Sequence, residues 1–173
     1  VPMEFEEIMR QFDKRIPKFD AAISLITMTT DRWEGMEFTH PYFTSAIAAA
    51  VKKGDTSVSS IEDLKGKKVV CKSGTIIHEY AEFIKDSIGF TVTPYQKVDD
   101  AFDAVLSGSA DVVMEEYPLI FHRIFTKGAN LDVAFKGDDQ FTFNMAVNKG
   151  ENYSLIRMFN DGLLRLEEDG TYD

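Results

Sequence analysis

The chain has 173 residues, 44% of them apolar and 28% charged, a globular composition that excludes disordered, collagenous and coiled-coil classes. With 19 Lys plus Arg against 29 Asp plus Glu it carries a net charge of −10, which argues against nucleic acid or an anionic membrane as its partner. A chain of this length buries roughly 70% of its unfolded surface, enough for one domain or two small lobes with real cores.

Apolar residues at Phe5, Ile8, Met9 and Phe12 have helical spacing and predict a helix over Phe5 to Arg15, ended by Pro17. Phe19 to Leu25 follows as a short apolar strand, and Ala46 to Val51 is an apolar run that fits strand or helix. Ser60, with Asp63 three positions on, reads as a capped helical turn. Lys67 to Cys71 is a strand, and Thr75 to Asp86 a helix with Ile76, Tyr80, Phe83 and Ile84 on one face. Thr91 to Tyr95 is a β-branched strand; Asp99 caps a helix through Leu106 with a buried stripe of Ala101, Phe102 and Val105. A strand over Ala110 to Met114, a helix from Pro118 to about Phe125, strands over Leu131 to Phe135 and Phe141 to Val147, and a closing helix over Tyr153 to Glu168 complete the series.

This alternation predicts an α/β fold with parallel sheets flanked by helices. A faint internal echo supports two lobes of related design: one helix leads into Asp20-Ala21-Ala22-Ile23, another into Asp111-Val112-Val113-Met114. The longest uncharged apolar stretch, Phe38 to Val51, is too short to span a bilayer as a helix. The single cysteine, Cys71, excludes an internal disulfide framework and reads as an inert core residue. The 11 glycines are too widely spaced for a dinucleotide-binding, P-loop or nucleophile-elbow motif. His40, His78 and His122 lie on separate elements, and His78 with Glu82 lacks a third metal ligand.

Ligands of open parallel sheets bind beyond the carboxyl ends of the strands. Three such ends carry distinctive residues: Thr27 to Arg32, Lys72-Ser73-Gly74-Thr75, and Glu115-Glu116-Tyr117. Each alone is commonly a turn, a cap or a solvated pair. Together they have a chemical logic. Arg32 offers a planar fork for a carboxylate, with donors from Thr27. The helix from Thr75 presents free N–H groups at its positive end, and Glu116 suits an ammonium group. A carboxylate grip and an ammonium grip describe an α-amino-acid site.

These residues also carry a family resemblance. The chain resembles the solute-binding proteins of polar amino-acid ABC importers, bacterial extracellular solute-binding protein family 3, with the two-lobed type II periplasmic binding fold. Those proteins read D-A-x-I-x-G-M-T-x-T-x-E-R and then F-S-D-P-Y-Y; here Asp20-Ala21-Ala22-Ile23 runs through Thr27 and Thr29 to Arg32, then Phe38-Thr39-His40-Pro41-Tyr42-Phe43. The family's D-L-k-G-k-x-V-a-V-x-S-G-T is matched by Asp63-Leu64-Lys65-Gly66-Lys67-Lys68-Val69-Val70-Cys71-Lys72-Ser73-Gly74-Thr75, and the ending Gly170-Thr171-Tyr172 also fits.

The resemblance implies that Thr27 and Arg32 hold the ligand α-carboxylate, that the loop through Thr75 and Ile76 adds a backbone N–H, and that Glu116 holds the α-ammonium. Lys72 stands where some glutamine-binding members meet the side chain, and Phe5 matches an aromatic that stacks on the ligand. Leu25 replaces a small residue whose carbonyl faces the ammonium, Glu116 replaces the commoner Asp, and Ile76 replaces Gly or Thr. Family members also begin with a strand, a helix and a second strand before the stretch equivalent to Val1-Pro2-Met3, so lobe 1 is expected to be incomplete.

The expected organisation is lobe 1 from residues 1–43 plus 145–173, lobe 2 from 47–141, and hinges near 42–46 and 141–144. The expected function is the extracytoplasmic solute-binding component of an amino-acid ABC importer. It would close on an L-amino acid, glutamine or glutamate or another polar one, and be recognised by a membrane permease. It would be a monomer without cofactor, metal or catalytic residues, periplasmic or extracellular, and membrane-associated in a Gram-positive source. One alternative is a ligand-sensing domain of a kinase, cyclase or channel. Another is a dehydratase-like enzyme, with Glu115 as its acid.

Overall fold

The computed structural model describes residues 3–14 and 17–172, and only the backbone of Asp139. The chain forms two compact units, one from Val1–Thr44 with Phe141–Asp173 and the other from Ser45–Gln140.

The first unit begins with α1 (Phe5–Phe12), whose Phe5, Ile8, Met9 and Phe12 face its core as their spacing predicts. The helix stops at Phe12, and Arg15 lies outside the described residues. Gln11, fully buried, donates to Glu7 and accepts the Lys18 N–H at 3.2 Å, so its burial leaves no amide wasted. β1 (Ala22–Thr27) starts and ends later than the apolar run suggests, because burial of Ile26 and Thr27 carries the strand past Leu25. Two elements escape sequence periodicity: α2 (Thr30–Gly35), one short turn capped by the Thr29 hydroxyl, and β2 (Met36–Phe38). α6 (Tyr153–Glu168) closes the unit with the predicted bounds.

β1 and β2 both pair antiparallel with the last residues of β7 (Leu131–Asn148): Thr27 lies opposite Phe143, and Phe38 opposite Ala146. This corrects the expectation of a parallel sheet in this part of the chain. Antiparallel pairing follows from β1 and β2 both running against the same returning strand.

Leu25 is a strained position of this unit. Between Ala22 and Ile26 the register slips, so that the four-residue advance in β1 matches only Ala146 to Asn144 in β7. The bulge places Leu25 at φ +48°, a left-handed conformation that costs an L-residue about 1–2 kcal/mol. Its N–H donates to the Tyr42 hydroxyl at 3.2 Å, and its side chain is exposed. Leu25→Gly removes the Cβ clash at a small entropic cost, whereas Leu25→Val worsens it. Urea denaturation should separate the two variants by about 1–2 kcal/mol in favour of glycine. Equal stabilities would show that the bulge is not held in the left-handed region.

In the second unit β3 (Phe43–Lys52) resolves the ambiguous Ala46 to Val51 run as a strand, with Ala46 and Ala48 to Val51 buried. It pairs antiparallel with β6 (Val112–Glu116), Ile47 opposite Glu116 and Val51 opposite Val112. β4 (Lys68–Lys72) runs parallel to β6 on one side and to β5 (Thr91–Tyr95) on the other. The sheet is therefore mixed, and the predicted parallel arrangement is confined to β4, β5 and β6.

Val70, Val113, Ala48 and Ala50 pack on one face against Ala101, Phe102, Ala104 and Val105 of α4 (Val98–Ser107), the predicted stripe. α4 begins one residue before Asp99, and its N-cap Lys97 makes no side-chain cap bond. The alternating residues Val69, Cys71, Val112 and Met114 are equally buried, so both faces are covered. α3 (Ile76–Ile88) buries Ile77 and Ala81, while Phe83 is 85% exposed; the expected face is rotated by about one residue. α3 and α4 end at Gly89 and Gly108, both in the left-handed conformation that closes a helix.

At Ser59-Ser60 the cap runs in reverse. Asp63 Oδ2 accepts the N–H groups of both serines, at 2.9 and 3.0 Å, ahead of a single 3-10 turn over Glu62–Leu64. After β6, α5 (Tyr117–Phe121) passes into a π-turn over His122–Thr126. β7 is one strand where the sequence suggests two. Gly137 and its acidic neighbours break the apolar pattern but not the extended backbone, and a Cβ at Gly137 would lie 3.4 Å from the Ile47 carbonyl oxygen.

Candidate functional site

In the first unit the chain leaves β1 at Thr27 and turns into α2, which returns Arg32 toward the strand end. Arg32 Nη1 donates to the Thr27 carbonyl at 3.0 Å, and its guanidinium lies 5.8 Å from the centre of the half-buried Phe5 ring. Phe5, Thr27 and Arg32 are thus brought together, and Leu25 is joined to Tyr42 instead. Thr27 is 4% exposed, and its Oγ1 is buried with no hydrogen-bond partner among the described residues. An unsatisfied buried hydroxyl costs about 1–3 kcal/mol unless something else serves it. Beyond the turn, Met28, Thr29, Thr30 and Trp33 line a cavity of about 470 Å³.

In the second unit the ends of β4 and β6 and the start of α3 converge. Thr75 is the N-cap of α3: its hydroxyl accepts the His78 N–H at 3.3 Å and donates to the Lys72 carbonyl at 2.9 Å. With the Glu79 N–H on the Thr75 carbonyl, the N–H groups of Ile76 and Ile77 remain for a partner outside the helix. Ile76 and Lys72 are half-buried. The Lys72 backbone N–H donates to Glu115 Oε1 at 2.7 Å, linking β4 to β6.

Glu116 ends β6 at 5% exposure, and Glu115 beside it is fully buried. Burial, acting against ionisation, pushes both carboxyls above the usual glutamate range, Glu115 the further because the charge of Glu116 adds to it. Glu115 Oε2 has no donor among the described residues. Sequence reasoning reached Glu115 only as the acid of an enzymatic alternative; the signal for its burial is its place directly opposite Ala48 in the centre of the sheet. The nearby Cys71 thiol is pushed up to about 12 by burial and by Glu115, which leaves it unreactive at neutral pH.

Among the described residues no three His, Cys, Asp or Glu side chains converge as metal ligands. No described helix is long and apolar enough to cross a membrane.

The sequence profile of bacterial extracellular solute-binding proteins, family 3, matches residues 1–173. An L-cystine-binding protein of Escherichia coli is 26% identical over 172 residues, which is 98% of this chain and 62% of that protein. A glutamine-binding ABC transporter protein of Bacillus subtilis is 27% identical over 177 residues, covering 98% and 62% of the two chains. The chain therefore spans just under two thirds of the length of these relatives. Among solved structures, an ancestral arginine-binding protein bound to arginine superposes with a TM-score of 0.89 at 30% identity, over 100% of this chain and 76% of that one. The mixed sheet with flanking helices, together with a family match from the first residue to the last, establishes that this chain belongs to the bacterial extracellular solute-binding proteins, family 3.

Proposed function

We propose that the chain binds a polar L-amino acid non-covalently, as the extracytoplasmic solute-binding component of an ABC importer. In this reading Arg32 and Thr27 of the first unit take the α-carboxylate. Glu116 of the second unit takes the α-ammonium, and the N–H of Ile76 at the Thr75-capped end of α3 adds a further donor. Phe5 stacks on the ligand beside Arg32, and the carbonyl of Leu25 is a secondary contact. Ligand binding closes the protein about hinge segments near residues 42–46 and 141–144, and a membrane permease recognises the closed monomer. Lys72, a half-buried cation at the end of β4, favours glutamine or glutamate over a cationic amino acid. The relatives' names span cystine, glutamine and arginine, so the α-amino and α-carboxyl groups are the chemistry they share.

The observation that carries this reading is the buried Thr27 hydroxyl without a partner among the described residues, set beside the Arg32 guanidinium. A donor held dry and unsatisfied next to a planar cation suits a carboxylate. The test is a thermal-shift panel of the twenty amino acids and cystine on the 173-residue chain. A ligand at a hundred times its Kd adds about 2.7 kcal/mol, a shift of several degrees for a domain this size. Stabilisation by one or a few amino acids is expected. A cooperative melt unmoved by all of them would overturn the reading.

A further inference from the structure

Glu115 is the most completely buried acid on β6, and the amino-acid grip as described makes no use of it. The adjacent Glu116 is also more than nine-tenths buried. Glu115 Oε1 receives the Lys72 N–H at 2.7 Å and its carboxyl is within hydrogen-bonding reach of the Glu116 carboxyl, while Oε2 has no donor among the described residues. An ionised carboxylate accepts through both oxygens, so this surrounding fits a carboxylic acid better than a carboxylate.

The groups facing the pair do not supply two counter-charges. β4 brings Lys72 and the neutral thiol of Cys71, and Lys72 is the cation whose field reaches both carboxyls. β3 opposes the pair with Ile47 and Ala48, neither of which titrates. β5 places Tyr95 level with Lys72. Tyr117 follows directly in α5, with Lys136 of β7 4.7 Å from its ring centre, and α3 contributes Glu82, which bears on Cys71. For both carboxyls burial outweighs Lys72. Two neighbouring carboxylates in so dry a place, with one cation in range, cannot both stay ionised.

We propose that Glu115 is a working part of the ammonium grip: the Glu115–Glu116 pair holds one proton in the empty protein and releases it to solvent when the ligand's ammonium group docks on Glu116. This rests on the reading of Glu116 as the ammonium-binding residue. The step balances simply. One carboxyl O–H bond breaks, its proton passes to buffer, and the ammonium keeps its three protons while replacing one positive charge with another. The pair titrates as a unit, so the proton belongs to both residues. Its sign is fixed by linkage. Protonation competes with the ammonium, so affinity rises with pH through the range in which the empty pair loses its proton, by up to about tenfold per pH unit.

The experiment is calorimetric titration with L-glutamine, L-glutamate and L-arginine, in buffers of different ionisation enthalpy, at several pH values between about 5 and 8. The wild-type chain should release close to one proton per amino acid bound, and its affinity should rise with pH. Glu115→Gln retains an acceptor for the Lys72 N–H and mimics the protonated acid. It should release no proton, match the wild type at the acid end, and fall about tenfold behind it per pH unit above. The Lys72 amide resonance of the empty protein, which reports on Glu115 Oε1 directly, should titrate in the same range. Binding without proton release, or a Glu115→Gln profile parallel to the wild type, would overturn the proposal and leave the ammonium grip standing. Absence of heat with all three, together with a thermal-shift panel unmoved by any amino acid, would instead overturn the grip itself, and the coupled release with it, whatever the Lys72 amide does.

Discussion

Replacing Arg32 by alanine is expected to weaken amino-acid binding by about 30-fold to several thousand-fold, the 2–5 kcal/mol typical of truncating one partner of a desolvated, hydrogen-bonded charge pair. The fold should tolerate the change, because Arg32 sits on a short surface turn, where it donates to the Thr27 carbonyl and lies over the Phe5 ring rather than filling the core. Contacts of these two kinds are worth about 1–2 kcal/mol together, well below the loss expected in binding. Thr27→Val sharpens the test. It exchanges a buried hydroxyl that has no partner among the described residues for a methyl group of the same shape, so stability should stay level or rise, since a stranded polar atom is removed. Binding should nevertheless fall about tenfold, one hydrogen bond to a charged group. A residue whose loss strengthens the fold and weakens the ligand complex is there for the ligand. Calorimetry and urea denaturation on the same preparations give both numbers. If Thr27→Val lost stability and binding in proportion, the hydroxyl would have an internal partner and the carboxylate grip would need another donor.

The chemical groups of the candidate site are easier to read from the sequence than the pairing of the sheet, for a physical reason. Chemical groups are written in the residues themselves: Arg32 five positions after Thr27, a capping Thr75 after Ser73-Gly74, and two glutamates closing a run of apolar β residues. Strand direction is written nowhere in a single strand. Alternating helices and strands suggested parallel pairing, yet β1 and β2 both align against the returning β7, and β3 against β6, through contacts more than sixty residues apart in sequence. The continuity of β7 through Gly137 was equally hidden, because a backbone ladder needs no apolar side chains. Long, strongly periodic segments such as Tyr153–Glu168 and the Ala101, Phe102, Val105 stripe were legible because burial itself imposes the period. Glu115 was hidden for the opposite reason: a charged residue is read as exposed until the strand opposite it is known to be alanine.

Two phenylalanines on consecutive helices of the second unit should respond very differently to the same substitution. Phe102 of α4 is 2% exposed and packs into the main core with Val70, Val113 and Leu131, with the Arg123 guanidinium 5.5 Å from its ring centre. Arg123 is held there by Asp99 and Asp103, at 2.8 and 2.7 Å, so the ring is roofed by an ion-pair network. Phe102→Ala would open a cavity beneath that roof and is expected to cost about 3–5 kcal/mol, much of the 5–15 kcal/mol that stabilises an ordinary domain. Phe83 of α3, which sequence spacing assigned to a buried face, is 85% exposed, and Phe83→Ala should change stability by less than about 0.5 kcal/mol. Urea denaturation of the two variants decides between the register of α3 read from its sequence and the one in the structure. A large loss at Phe83 would mean that the apolar face of α3 is Ile76, Tyr80, Phe83 and Ile84 after all. Since Thr75 caps the start of the same helix, the N–H groups of Ile76 and Ile77 would then be turned by the same one-residue rotation. The stability of an exposed phenylalanine is in this way a test of where the N-terminal N–H groups of α3 point, and so of the donor proposed for the ligand.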